Sequence, residues 1–238
     1  MPELRVVTLD LDNTLWDVDR TIIRAESRMK EWLREHAPDV FDAYQPELLE
    51  QIRGGIMRDP EAKRHDLTYL RIRVLTELAR HTGYPSSRAE QVAQQAFAEF
   101  FIGRNQVEFF PGALEMLQKV SAHYPVYALT NGNADVERTG ISRYLKGAYS
   151  SADVGASKPD AEMFTRPLAA IGLAPEQAVH VGDHLIDDIQ GANNAGLASI
   201  WVNLKAHNLT EMDPQPHAQV SDLLAVFEAI QSLAQDEL

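Results

Sequence analysis

Asp10 and Asp12 stand two residues apart in VVTLDLDNTLWD (6–17), where a run of strand-forming residues gives out. A buried strand seldom ends in two acids without a use for them, because an ionised carboxylate is costly to take out of water. Strand side chains alternate, so the two carboxylates share one side while Leu11 points into the opposite layer. A carboxylate can act as a nucleophile toward phosphorus. A second one beside it can protonate a departing oxygen and later take a proton from water. Further reactive groups follow at wide intervals: Thr130, Asn131 and Gly132 in LTNGN (129–133), Lys158 in SKPD (157–160), and Asp183, Asp187 and Asp188 in VGDHLIDD (181–188).

Short β-branched, apolar runs are the elements that would hold these groups: LRVVTLDL (4–11), PVYALT (125–130), AVHVG (178–182) and ASIWV (198–202). From residue 111 they alternate with helical patterns at 112–123, 161–172 and 186–196. Strand–helix alternation with nearly continuous hydrophobic strands predicts a parallel sheet covered on both faces. Near the C-terminus, Val220, Leu223, Leu224, Phe227 and Ile230 fall on one helical stripe. Residues 18–104 carry no strand pattern. Ile22, Ala25, Met29, Trp32 and Leu33 follow three–four spacing, as do Leu67, Leu70, Val74 and Leu78, and then Val92, Ala93, Ala96, Phe97 and Phe100. Ser87 and Glu90 have the spacing of a capping box before the third set. The reading is an α/β domain of residues 1–17 plus 105–238, interrupted by an all-helical insertion of three to five helices at 18–104. In open parallel sheets ligands bind at the carboxyl ends of the strands, so an insertion leaving from that edge is expected to act as a lid.

Composition narrows the function. The chain has 238 residues, 45% of them apolar, which is enough for a sizeable core, and no run long enough to span a membrane. No secretory signal is visible at the N-terminus, and there is no cysteine, so thiolate catalysis and cysteine zinc sites are excluded and a cytoplasmic location is expected. A net charge of -13 would repel a phosphate backbone, so nucleic acid is not an expected partner. A phosphate dianion beside Asp10 would likewise be repelled unless a cation sits there.

In order, in residue type and in position after predicted strands, DLDNT, LTNGN, SKPD and VGDHLIDD resemble the four motifs of the haloacid dehalogenase-like hydrolase superfamily. The resemblance covers nearly the whole chain, and the inserted helices resemble the cap of one subclass. It implies a Rossmann-like parallel sheet core with a helical cap, and a magnesium-dependent phosphatase acting on a small phosphorylated metabolite. Asp10 is then the nucleophile, forming an aspartyl-phosphate, and Asp12 the acid–base. Lys158 is the charge-neutralising cation, and Thr130, Asn131 and Gly132 hold the phosphate. The implied magnesium ligands are the Asp10 and Asp183 carboxylates and the Asp12 backbone carbonyl. Asp188 or Asp187 supports the metal, Asp188 having the more usual spacing. Dehalogenases of the superfamily need no acid at the second position, since halide leaves unprotonated; phosphomutases keep both acids. TLWD, RHDLTYLR (64–71), PVYALTNGNAD (125–135) and HVGDHLIDDIQGANNAG (180–196) are similar to a bacterial flavin mononucleotide phosphatase-like group, associated with flavin mononucleotide and a ribityl-aminouracil phosphate. The resemblance makes Arg20, Arg24, His65, Asp66 and Arg71 candidates for substrate contact. Asp66 also fits a helix N-cap, and arginines on an amphipathic helix usually cover its solvated face. Trp16 either walls the pocket or packs at the start of the insertion.

Overall fold

The computed structural model describes residues 3–235. The chain divides into two compact units, Met1–Asp17 with Glu108–Leu238, and Val18–Val107. Residues 105–107 fall in the second unit because they finish its last helix: Asn105 Nδ2 donates to Phe101 O at 2.8 Å and the Gln106 amide to Gly103 O at 3.1 Å.

In the first unit the described strands are β1 (Val6–Leu9), β2 (Val126–Thr130), β3 (Gly147–Ser150), β4 (Ala178–Gly182), β5 (Ala198–Val202) and β6 (Ala218–Val220). They form one parallel sheet in the order β3-β2-β1-β4-β5-β6. All of β1, β4 and β5 is buried, as continuous apolar runs require of a sheet packed on both faces. Two edge strands went unread in the sequence. GAYS and AQV are short, partly exposed and built of small or polar residues, so neither shows a hydrophobic run. The C-terminal stripe also needs correction. Val220 belongs to β6, Leu223–Ala225 form a 3-10 turn with Leu224 at 43% exposure, and the helix proper begins at Val226.

The second unit holds five described helices: α1 (Val18–His36), α2 (Pro38–Asp42), α3 (Pro46–Arg58), α4 (Leu67–His81) and α5 (Ser86–Arg104). Ala25, Met29 and Leu33 of α1, Leu75 and Leu78 of α4, and Val92, Ala96 and Phe100 of α5 share its core. The helices α1 and α5 cross closely at Gly103, where a Cβ would stand 2.7 Å from the Ala25 Cα. Ser87 forms no capping box. The helix starts one residue earlier, at Ser86, with Pro85 at the N-cap and no side-chain cap bond, so Ser87 and Glu90 are both already helical.

Candidate active site

Four chain segments deliver reactive groups to the carboxyl edge of the sheet, around the switch in strand order between β1 and its neighbours. Asp10 directly follows β1, Thr130 ends β2, Lys158 lies beyond β3, and Asp183 follows β4. The strand β1 stops at Leu9, so pleating does not place the first two acids as expected. Asn13, at φ 60°, turns the chain left-handed, and the Asn13 amide donates to Trp16 O at 2.8 Å. Asparagine tolerates that conformation better than most residues. The outcome still puts Asp10 and Asp12 on one cleft, with Leu11 fully buried behind them.

The cleft encloses about 160 Å³ and is lined by Asp10, Asp12, Asn13, Thr130, Asn131, Gly132, Lys158, Asp183, His184, Asp187 and Asp188. Lys158, only 4% exposed, donates to Asp10 Oδ1 at 2.5 Å and to Asp188 Oδ1 at 2.7 Å. Burial opposes its charge, but the two carboxylates outweigh burial and hold the ammonium above the ordinary lysine range. One ammonium shared by two acids cannot satisfy both equally. Burial raises Asp10 well above the usual carboxylate value; Lys158 opposes that rise and the neighbouring Asp188 charge adds to it. Burial acts the same way on Asp188, yet Lys158 and His180 overcome it and keep that carboxylate below its ordinary range.

The loop bearing Lys158 is clamped by Asn131. Its Oδ1 accepts from the Lys158 amide at 2.8 Å and its Nδ2 donates to the Lys158 carbonyl at 3.0 Å. The peptide from Lys158 to Pro159 is cis. Gly132 donates its amide to Thr130 Oγ1 at 2.9 Å, so this turn is internally bonded as well as facing the cleft. Thr14 Oγ1 lies 3.4 Å from Asp10 Oδ2 and 3.3 Å from Asp183 Oδ1, tying the ends of β1 and β4 together. The Asp183 backbone carbonyl accepts the Trp201 indole N–H at 2.8 Å.

The donor set fits a hard divalent cation. Carboxylate oxygens of Asp10, Asp183 and Asp188 lie within 4.8 Å of one another. The lining holds five carboxylates and, in Lys158, one ammonium. Burial, with the Asp188 charge adding to it and Lys158 opposing it, pushes Asp183 up to about 6. Magnesium prefers oxygen ligands. Asp188 is already engaged by protein donors: Lys158 and His180 on Oδ1, and the His184 amide on Oδ2 at 2.9 Å. Asp10 and Asp183 meet at Thr14 Oγ1 and complete the acidic cluster. Asp187 differs from Asp188; its amide donates to His184 Nδ1 at 3.0 Å at the start of a π-helical turn, Leu185–Gln190.

One contributor was not read from the sequence. His180, fully buried in β4, has Nε2 3.2 Å from Asp188 Oδ1 and Nδ1 2.9 Å from Thr8 Oγ1. Burial lowers its pKa despite the pull of Asp188, so the ring is neutral. An ionised Asp188 only accepts, which puts the ring proton on Nε2 and makes Thr8 the donor to Nδ1. Among valines in AVHVG this histidine reads as a core residue; the available signal was a polar side chain at a fully buried strand position.

Trp16 is fully buried, meets Phe109 edge-on at 5.7 Å, and donates its indole N–H to Asp12 Oδ1 at 2.8 Å. The remaining candidates lie in the helical unit. Asp66 caps α4, its Oδ1 accepting from the Tyr69 amide at 2.8 Å. Arg71 pairs with Glu26 at 3.2 Å and covers the Phe100 ring at 3.7 Å. Arg24 reaches Gln106 O at 3.3 Å, and Arg20 and His65 are exposed.

Comparison with known proteins extends the geometry. The family model for haloacid dehalogenase-like hydrolases matches residues 4–196. The 5-amino-6-(5-phospho-D-ribitylamino)uracil phosphatase of Escherichia coli is 26% identical over 95% of this chain and 96% of its own. A phosphoserine phosphatase of Thermus thermophilus is 34% identical over 66% of this chain and 64% of its own. A crystal structure from Pseudomonas syringae described as a 2-haloacid dehalogenase superposes with a TM-score of 0.91, at 37% identity, over 97% of this chain and 99% of that one.

Proposed function

The chain belongs to the haloacid dehalogenase-like hydrolase family, and from that premise we propose that it is a magnesium-dependent phosphatase of small phosphomonoesters, working through a phosphorylated Asp10. The observation that carries the reading is the shared cleft: Asp10 held by Lys158, with Asp12 on the same wall. In the first step an Asp10 carboxylate oxygen bonds to phosphorus. The bond from phosphorus to the ester oxygen breaks, its electron pair stays on that oxygen, and Asp12 delivers a proton to it. In the second, water attacks the aspartyl-phosphate, Asp12 takes the water proton, and the Asp10–phosphorus bond breaks. Both acids return to their starting states with inorganic phosphate released. Lys158 neutralises charge between nucleophile and phosphoryl group, and the Thr130–Gly132 turn faces the phosphate oxygens. Magnesium, held by Asp10, Asp183 and the Asp12 carbonyl, would offset the remaining negative charge and keep Asp10 ionised.

Asp12 also separates this reading from dehalogenation, which the description of one structural neighbour raises. Halide leaves as a stable anion and needs no acid, whereas an alkoxide does. The cleft, at about 160 Å³, is smaller than the ~300 Å³ typical of small-molecule pockets, so it suits a phosphate group and an ion. Recognition of the leaving group is assigned to residues outside it, with Arg20, Arg24, His65, Asp66 and Arg71 as candidates. The relative in Escherichia coli, named for a phosphoribitylamino-uracil, supports a ribityl-linked phosphate as the substrate.

Phosphate release from p-nitrophenyl phosphate tests the reaction. The parent requires magnesium, and Asp10→Asn falls by about a thousandfold or more, the scale of losing a covalent nucleophile. No release by the parent, or halide release from 2-chloropropionate in its place, overturns the proposal. Flavin mononucleotide and the ribityl-aminouracil phosphate are expected to outpace hexose phosphates. The reverse ranking removes the substrate class and leaves the reaction standing.

A further inference from the structure

We infer that Trp16 is a positioning residue for the acid–base Asp12, its indole N–H fixing the orientation in which the carboxyl group hands over its proton. The inference rests on the phosphatase reading above and adds a residue to its machinery. The contact from Trp16 Nε1 to Asp12 Oδ1 is 2.8 Å, the length of a charge-assisted hydrogen bond.

The donor side of this bond is rigid. Trp16 is fully buried and bridged on two sides, to Asp12 in parallel sense and to Phe109 in antiparallel sense. The Asn13 amide donates to its carbonyl at 2.8 Å, and the Phe110 amide to the preceding Leu15 carbonyl at 2.8 Å. Its ring stands edge-on to Phe109. The acceptor side is more open: Asp12 is half-buried and lies beyond the end of β1. A buried indole N–H is costly to leave without an acceptor, so the ring and the carboxylate hold each other. Chemistry then follows from the inventory of lone pairs. An N–H on Oδ1 is better met by a carbonyl-type oxygen than by a hydroxyl, so in the acid form it favours the proton on Oδ2. Trp16 thereby selects which oxygen meets the ester oxygen as its bond to phosphorus breaks.

This role has a consequence that packing alone lacks. A weakly basic phenolate departs without a proton, whereas an alkoxide depends on Asp12. In the first step, which kcat/KM reports, loss of the N–H therefore harms alkyl esters selectively, while hydrolysis of the aspartyl-phosphate slows for both substrates alike. The test replaces Trp16 by β-(3-benzothienyl)alanine through site-specific incorporation, which keeps the fused ring and deletes the donor, with Trp16→Phe as a second variant. The parent and both variants are assayed on p-nitrophenyl phosphate and on an alkyl phosphomonoester, with Asp12→Asn in parallel. For the alkyl ester kcat/KM should fall about 10- to 100-fold, while kcat/KM for p-nitrophenyl phosphate changes by less than about threefold. Asp12→Asn should show the same selectivity, with an alkyl loss of about 10²- to 10⁴-fold. Equal losses of kcat/KM on both substrates, or none on either, overturn the role of Trp16 while an Asp12→Asn selective in kcat/KM leaves the phosphatase reading intact. An unselective Asp12→Asn removes the acid–base assignment of Asp12 and this inference with it.

Discussion

One ammonium serves two buried carboxylates, and the division decides which acid is ready to react. Lys158 and His180 both favour the charged form of Asp188, so Asp188 holds its charge permanently and acts as an anchor. Asp10 is left easier to protonate until a cation joins it. His180→Leu removes the Nε2–H donor and leaves Asp188 short of one bond, costing about 1–3 kcal/mol for a buried charged acceptor. Lys158 would then be drawn toward Asp188 and away from Asp10. We expect kcat/KM to drop by about tenfold, with His180→Gln recovering most of it because its amide can donate from a similar place. Recovery by a second apolar residue such as methionine, in a kinetic and thermal comparison, would show that volume alone matters at this position. The four motifs could be read because each combines reactive types with a turn. His180 could not, because inside the apolar run AVHVG its polar atoms are hidden by ordinary core appearance, and Trp16 was legible in two roles without the bond to Asp12.

Strands and turns set how accurately these residues meet. The strands β1, β4 and β5 were readable as continuous apolar runs because all their residues are buried, and the site hangs from the ends of β1 and β4. The strands β3 and β6 carry no such runs, since an edge exposes half its residues and tolerates small or polar ones. The stretch 186–196 was read as helix, and it is a π-helical turn followed by a short helix at Gly191–Ala195. That turn is wound so that both Asp188 and Ile189 donate to the His184 carbonyl, at 2.9 and 3.2 Å. Periodicity cannot distinguish such a widened turn from an ordinary one, yet it brings the Asp188 carboxylate back over the end of β4. The approach leaves no room for a side chain at Gly182, where a Cβ would sit 2.3 Å from Asp188 Cγ. Gly182→Ala should therefore displace Asp188 from Lys158, at a cost of about 1–3 kcal/mol in stability. Its activity loss should exceed that of His180→Leu, since it moves the whole carboxylate instead of removing one donor. Urea unfolding and phosphate release measure the two effects, and an alanine variant with parental values for both would refute the close fit.

At the scale of the whole molecule, the charges of Asp10 and Asp183, both disfavoured by burial, oppose folding. Asp183 carries the effect most visibly, because burial and Asp188 push it up to about 6, above the usual carboxylate value. Between those two values the folded chain binds more proton than the unfolded one, so stability falls as pH rises through that window. The contribution is fully present below the unfolded value and is gone above the folded one. For a partly exposed group it amounts to about 1–2 kcal/mol, or a few degrees in Tm for a chain of this size. Metal-free Asp183→Asn should consequently melt above the parent at pH 7.5 and close to it below pH 4.5. On the proposed function magnesium binds the folded state alone and competes with the Asp183 proton, so its stabilisation of the parent should grow from pH 5 to pH 7.5. The same titration on Asp183→Asn should show little gain at either pH. Thermal melts across that range, with and without magnesium, measure both. A gain in the parent that is equal at pH 5 and pH 7.5 would mean that Asp183 does not give up a proton when the ion binds, and would remove it from the ligand set.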